Sequence, residues 1–204
     1  MLHQITCTCG QIFDADIPNR IDLAADPEAE QSILAGTFIS VFCPKCETEL
    51  KPEVPVQIID SRHGVNLFML PETERSDFLN RRGSYDLADA TRVVIGFQEL
   101  VEKLRIMQSS LDDRAVEILK YYVLCKALDS TDEIDVKVMF FGMEYDHLVF
   151  HLFGVRKDGF GIVRLPRQVY ESALEEAPEK ESEAPFSDFL LPPYVSTNRL
   201  FTPG

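Results

Sequence analysis

The sequence predicts an α+β protein: an N-terminal β element built around two cysteine turns, a helical hairpin, and a C-terminal antiparallel β unit with one helix. Three observations carry this expectation. Two close cysteine pairs, Cys7-Thr8-Cys9 and Cys43-Pro44-Lys45-Cys46, are flanked by short apolar segments of strand type. Between residues 89 and 109, apolar residues recur at intervals of three and four. From residue 134 the period falls to two.

Taken in order, Ile5 and the segment from Gln11 to Ile17 supply the apolar side chains of a short hairpin around the first cysteine turn. Asp26-Pro27-Glu28 combines a capping residue, a proline suited to the first helical position and an acid that complements the helix dipole. Gly36 closes that segment after Ile33 and Leu34, so a short helix is expected between the cysteine pairs. Phe38, Ile39, Val41 and Phe42 lead into Cys43 as a strand. Val54, Val56, Ile58 and Ile59 carry the chain out again, and Pro52 and Pro55 predict an edge position. A strand from Val65 to Leu70 ends at Pro71, and Phe78 and Leu79 fall in a short helical stretch that Gly83 breaks.

Val93, Phe97, Leu100, Leu104 and Met107 form the stripe of one amphipathic helix between Asp89 and Ser109. Ser110-Leu111-Asp112-Asp113 predicts a capping box with Ser110 as the cap. A second helix then runs to Leu128 with Val116, Leu119, Tyr122 and Val123 inward, so the two should pack as an antiparallel hairpin. After a polar break at Asp129-Ser130-Thr131-Asp132, Ile134, Val136, Val138 and Phe140 alternate with Asp135, Lys137 and Met139, and Leu148, Phe150 and Leu152 continue the alternation. Lys157-Asp158-Gly159 makes a turn, Phe160 to Leu165 returns as a third strand, and Pro166 opens a helix through Val169, Tyr170 and Leu174. Glu175 to Glu183 is acidic and nearly free of apolar residues, which reads as linker or disorder. Phe186, Phe189, Leu190, Leu191, Tyr194, Leu200 and Phe201 make the end too apolar for a free tail, and they should dock onto this chain or onto a partner, including a second copy. The expected divisions are residues 1–128, 129–175 and 176–204.

Composition limits the function. With 204 residues and 45% hydrophobic content the chain can bury a sizeable core. A net charge of −14 repels phosphate backbones and anionic lipid, and acids punctuate the best basic candidates, Arg75, Arg81, Arg82 and Arg92, so neither nucleic acid nor membrane is the expected partner. The start has no charged and then apolar signal, and Val138 to Met143 is too short to span a bilayer, which predicts a cytoplasmic protein. Four of the five cysteines fall in close pairs, a pattern that in a reducing compartment favours metal over disulfides.

Cys7, Cys9, Cys43 and Cys46 are therefore the candidate ligands of one Zn2+ ion. Four thiolates at ~2.3 Å close the tetrahedron and leave no position for water or substrate, so such a site is structural. Its binding can contribute folding free energy on the order of 10 kcal/mol to a small domain. Cys-Pro-x-Cys fixes its turn through the proline, whereas Cys-x-Cys has a tighter bite. Cys125 reads as a buried packing thiol. His147 and His151 sit in a strand pattern that separates them by ~13 Å, too far to share a metal. Glu99 and Glu102 read as part of a solvated helix surface, and no phosphate loop, nucleophile elbow or dinucleotide fingerprint is present.

From Ile5 to Leu128 the chain resembles the CpXC domain, a bacterial module named for two Cys-Pro-x-Cys motifs and without an assigned function. The resemblance rests on Ile5-Thr6-Cys7, Cys9-Gly10, Asp26-Pro27 through Leu34-Ala35-Gly36, Phe42-Cys43-Pro44-Lys45-Cys46, Phe68-Met69-Leu70-Pro71-Glu72, and the stretch from Phe97 to Arg114. It implies a zinc-ribbon-like element holding the four cysteines, followed by helices. The first motif here is one residue shorter and lacks the proline, and Glu47 stands where the family often has glycine, which predicts a left-handed turn at Glu47. These features imply a non-enzymatic interaction module with a protein partner. Cys-x-Cys followed by Cys-x-x-Cys is also similar to the zinc centre of the bacterial redox-regulated holdase chaperone, which implies the alternative of zinc release on thiol oxidation.

Overall fold

The computed structural model describes residues 1–130, 135–156 and 159–201. The chain separates into two compact units, Met1–Val101 and Glu102–Gly204. The boundary falls inside the helix that ends at Gln108.

In the first unit, β1 (Leu2–Thr6) and β2 (Ile12–Asp16) form a hairpin in which Thr6 faces Ile12 across the turn. A short strand β3 (Arg20–Asp22) precedes α1 (Pro27–Leu34), whose cap is Asp26 as expected, its carboxylate accepting from the Ala29 amide at 3.0 Å. A second hairpin follows, β4 (Val41–Phe42) against β5 (Glu49–Leu50), and then β6 (Val56–Asp60) and β7 (Val65–Leu70). Ile5, Ala15, Ile17 and Val54 form a small core against which Ile39, Val41 and Leu50 pack, so one apolar cluster holds both hairpins.

The four-stranded sheet runs β3-β6-β7-β8, which places β6 inside rather than at the edge expected from Pro52 and Pro55. Both prolines precede Val56, so neither removes an N–H from the ladder. After α2 (Arg75–Leu79) comes a strand that the helical stripe concealed: β8 (Arg92–Ile95) pairs in parallel with β7. Val93, Val94 and Ile95 are all buried, and such a β-branched run suits a strand covered on both faces. Gly96, at φ +77°, turns the chain into α3 (Gly96–Gln108).

In the second unit, α3 ends at Gln108, and Ser110 follows with φ +54°. Ser110 therefore terminates the first helix. The cap of α4 (Asp113–Leu128) is Asp112, whose carboxylate accepts from the Arg114 amide at 2.9 Å. β9 (Lys137–Glu144), β10 (His147–Phe153) and β11 (Gly161–Pro166) form an antiparallel sheet in the order β11-β10-β9, as the period-two pattern predicts. Ile134 and the first two residues of the turn expected at Lys157-Asp158-Gly159 lie outside the described residues.

The expected linker is not one. Residues 175–180 complete α5 (Arg167–Lys180), which buries Tyr170, Ala173 and Ala177 along one face and packs on α4. Alanine contributes a close helix contact without registering as a strongly apolar residue, which is why the acidic run hid a helix. Helix α6 (Phe186–Phe189) and the segment beyond it then bury Phe186, Phe189, Leu190 and Val195 in the unit's own core. The tail docks onto this chain.

The carboxylates assigned to a solvated helix surface are buried as well. Glu99 accepts from the Ile95 amide at 2.9 Å and pairs with Arg75. Glu102 pairs with Lys120 at 3.0 Å and accepts from the Phe140 amide. Lys120 also meets Glu117 at 3.0 Å, and Glu117 accepts from both the amide and the hydroxyl of Thr197. Lys103 pairs with Asp113 at 3.0 Å and donates to the Val195 carbonyl. This ionic core joins the end of α3, α4 and the C-terminal segment.

Candidate metal centre

Each cysteine pair occupies the turn of one of the two short hairpins. In the first, the Cys7 amide donates to the Gln11 carbonyl at 2.8 Å and the Gly10 amide to the Cys7 carbonyl at 2.9 Å. Gly10 takes φ +82°, which a glycine adopts without steric cost. In the second, the Cys43 amide donates to the Thr48 carbonyl at 3.0 Å and the Glu47 amide to the Cys43 carbonyl at 2.9 Å. Glu47 adopts φ +58°, the left-handed turn expected where a glycine was replaced.

These turns bring all four predicted ligands together. The sulfur atoms of Cys7, Cys9, Cys43 and Cys46 lie within 4.8 Å of one another and could hold a metal ion. The short separations run between hairpins, 3.6 Å from Cys7 to Cys46 and 3.7 Å from Cys9 to Cys43. An ion held there would tie the hairpins to each other. Cys7 and Cys43 are buried against the chain, while Cys9 and Cys46 are exposed.

The second cysteine of each pair receives the amide of the residue two positions on, Gln11 for Cys9 and Thr48 for Cys46. Such N–H donors orient thiolates and spread their charge. The Thr48 hydroxyl, 3.2 Å from the Cys46 sulfur, and the Thr48 amide lower that thiol to about 6. At Cys9 the Gln11 amide acts in the same direction, but desolvation and hydrogen bonds to the other three sulfurs outweigh it and push the thiol up to about 11. The Thr48 donors thus favour a thiolate at Cys46, and the neighbouring sulfurs disfavour one at Cys9, a cost that a cation shared by the four would offset. Thr48 and Gln11 are site residues that the spacing of the cysteines did not identify, although their position two residues after each second cysteine was a readable signal.

The remaining metal candidates do not assemble. His147 and His151 lie on β10, and His151 is stacked on Phe141 with ring centroids 4.1 Å apart. Cys125 sits on α4, half-buried, away from any cluster of three metal-ligating groups among the described residues. Among those residues, no helix is long and apolar enough to cross a membrane.

The CpXC protein family matches residues 5–120, more than half of the chain, and the chain belongs to that family. It is also 27% identical over 219 residues to an uncharacterized protein of Treponema pallidum (strain Nichols), covering 98% of this chain and 99% of that protein. No solved structure matches it.

Proposed function

We propose that this CpXC-family chain holds one Zn2+ ion on Cys7, Cys9, Cys43 and Cys46 and works as a non-enzymatic, cytoplasmic protein-interaction module. The observation that carries the reading is the size of the sulfur cage. A tetrahedral ion with Zn–S of ~2.3 Å requires S···S edges of roughly 3.8 Å; two cross-hairpin edges here are 3.6 and 3.7 Å, and all four sulfurs lie within 4.8 Å of one another. Bound there, zinc would supply a four-way crosslink and no reactive position, because all four ligands come from the chain. The chain's own part is to present the sulfurs: the hairpins set their spacing, and the Gln11 and Thr48 amides orient two of them.

Elemental analysis before and after mild peroxide tests this, together with a Cys7→Ser variant. One zinc per chain that survives oxidation, and a variant that loses both zinc and the folded first unit, supports the structural joint.

The exposure of Cys9 and Cys46, and the lowered Cys46 thiol, favour one second reading, a redox switch. Peroxide would take two electrons from a thiolate pair, an S–S bond would form, peroxide would leave as water, and zinc would be released. Stoichiometric zinc release with a gain in holdase activity would establish that reading in place of the first.

A further inference from the structure

We infer that the second unit carries a separate site, a groove beside β11 that binds an aliphatic monocarboxylate. The sheet of this unit covers its inner face unevenly. α4 packs on β9 at one edge and on α5, leaving Val163 and Leu165 of the opposite edge strand only partly buried. The space left over is a cavity of 770 Å³ between α4, the end of β10, β11 and Val169 of α5. That lies in the size range of small-ligand sites, roughly 300–1,000 Å³.

Its chemistry selects the ligand. Leu119, Val123, Leu152 and Val163 give an apolar floor, and Tyr122 and Val169 stand exposed at its margin. Small residues keep the wall thin: a Cβ added to Gly161 would meet the Leu152 and Val155 side chains at 3.4 and 3.3 Å. The chain has 34 acidic residues, yet among the described residues none lines this cavity. Two cations do, Lys126 and Arg156, both exposed. An aliphatic tail fits the floor, and its carboxylate meets Lys126 and Arg156, the only charges among the described lining residues. A cationic ligand would instead meet two like charges there.

Cys125, half-buried in the wall, provides an internal reporter. The experiment uses the full chain with its metal content unchanged and titrates dodecanoate below its critical micelle concentration. Binding is read by calorimetry and by the rate of Cys125 alkylation, followed on its own peptide so that the other four thiols do not interfere. The expected result is saturable binding of one dodecanoate per chain with matching protection of Cys125. Each methylene removed from the ligand should weaken binding about fourfold. The double variant Lys126→Glu, Arg156→Glu, confined to exposed positions, should weaken it about tenfold. Dodecyltrimethylammonium should bind no better to the native chain than dodecanoate does to that variant. Val169→Trp, also at an exposed position, should block binding while leaving the unfolding transition in place. The inference is overturned by an absence of saturable binding, by affinity that ignores head-group charge or chain length, or by Cys125 alkylation that dodecanoate does not slow. Zinc content decides the metal reading separately and is unaffected by either result.

Discussion

Replacing Lys120 with methionine should destabilise the second unit by about 3–5 kcal/mol, the range for a buried ion pair stripped of one partner. Lys120 is 1% exposed and holds the carboxylates of Glu102 and Glu117, each at 3.0 Å. Methionine fills similar space and propagates helix well, so the loss isolates the charge rather than packing. Two buried carboxylates would remain, with Lys103 4.0 Å from Glu117 but already committed to Asp113, and with the half-buried Arg105 acting on Glu102. For a unit of this size each 1 kcal/mol moves the midpoint by about 4–8 °C, so thermal unfolding of its transition should fall by at least about 12 °C. The sign of the pH dependence is a second readout. Burial already raises Glu102 above its ordinary 4.5, and removing the cation raises it further. The folded variant then binds a proton that the unfolded chain does not, so its stability rises as pH falls towards 4.5 and declines as pH rises. The deficit relative to the native chain should be largest at pH 8 and smaller near pH 5. A loss under about 1 kcal/mol, or a deficit that does not vary with pH, would refute the view that this ionic core is a coupled unit.

In the first unit, buried Asp60 accepts from the Arg62 side chain and amide and meets His63 at 2.9 Å, and the Arg62 guanidinium holds its carboxyl well below the ordinary 3.8. Asp60→Asn should cost about 2 kcal/mol at neutral pH by urea denaturation. Because the folded carboxyl is the more acidic, that advantage is present above about pH 4 and should shrink as pH falls below it. Glu47→Gly relieves a left-handed residue and should raise the urea midpoint of the metal-loaded protein by the equivalent of about 0.5–1 kcal/mol, without changing metal content. No change, or a loss of metal, would show that Glu47 does more than complete the turn.

The parts of this structure that were legible in the sequence are those in which local chemistry and tertiary packing agree. The cysteine pairs, the Asp26 cap, and the alternation through Val138, Leu148 and Phe150 each specify one element, and each forms. The misreadings share a different physics. Val93 fits the helical stripe through Phe97 and Leu100, but pairing with β7 decides its conformation, and only a long-range contact reveals that. Glu102 and Lys103 resemble surface residues until Lys120, Asp113 and the Val195 carbonyl arrive from other elements to satisfy them. One hint was present, since Asp113, Glu117 and Lys120 repeat at helical spacing on α4 and so share a face. The four sulfurs were identifiable as a set. Their cross-hairpin pairing and the unequal exposure of Cys9 and Cys7 depend on how the small apolar core of Ile5, Ile17 and Val54 brings the hairpins together.

The most direct test of the central proposal is X-ray absorption at the zinc edge of the purified 204-residue chain, combined with metal content per chain. The prediction is one zinc with four sulfur neighbours at ~2.3 Å and no oxygen or nitrogen in the shell. A chain that purifies without zinc, or a shell containing a water or nitrogen ligand, would contradict a closed four-cysteine joint.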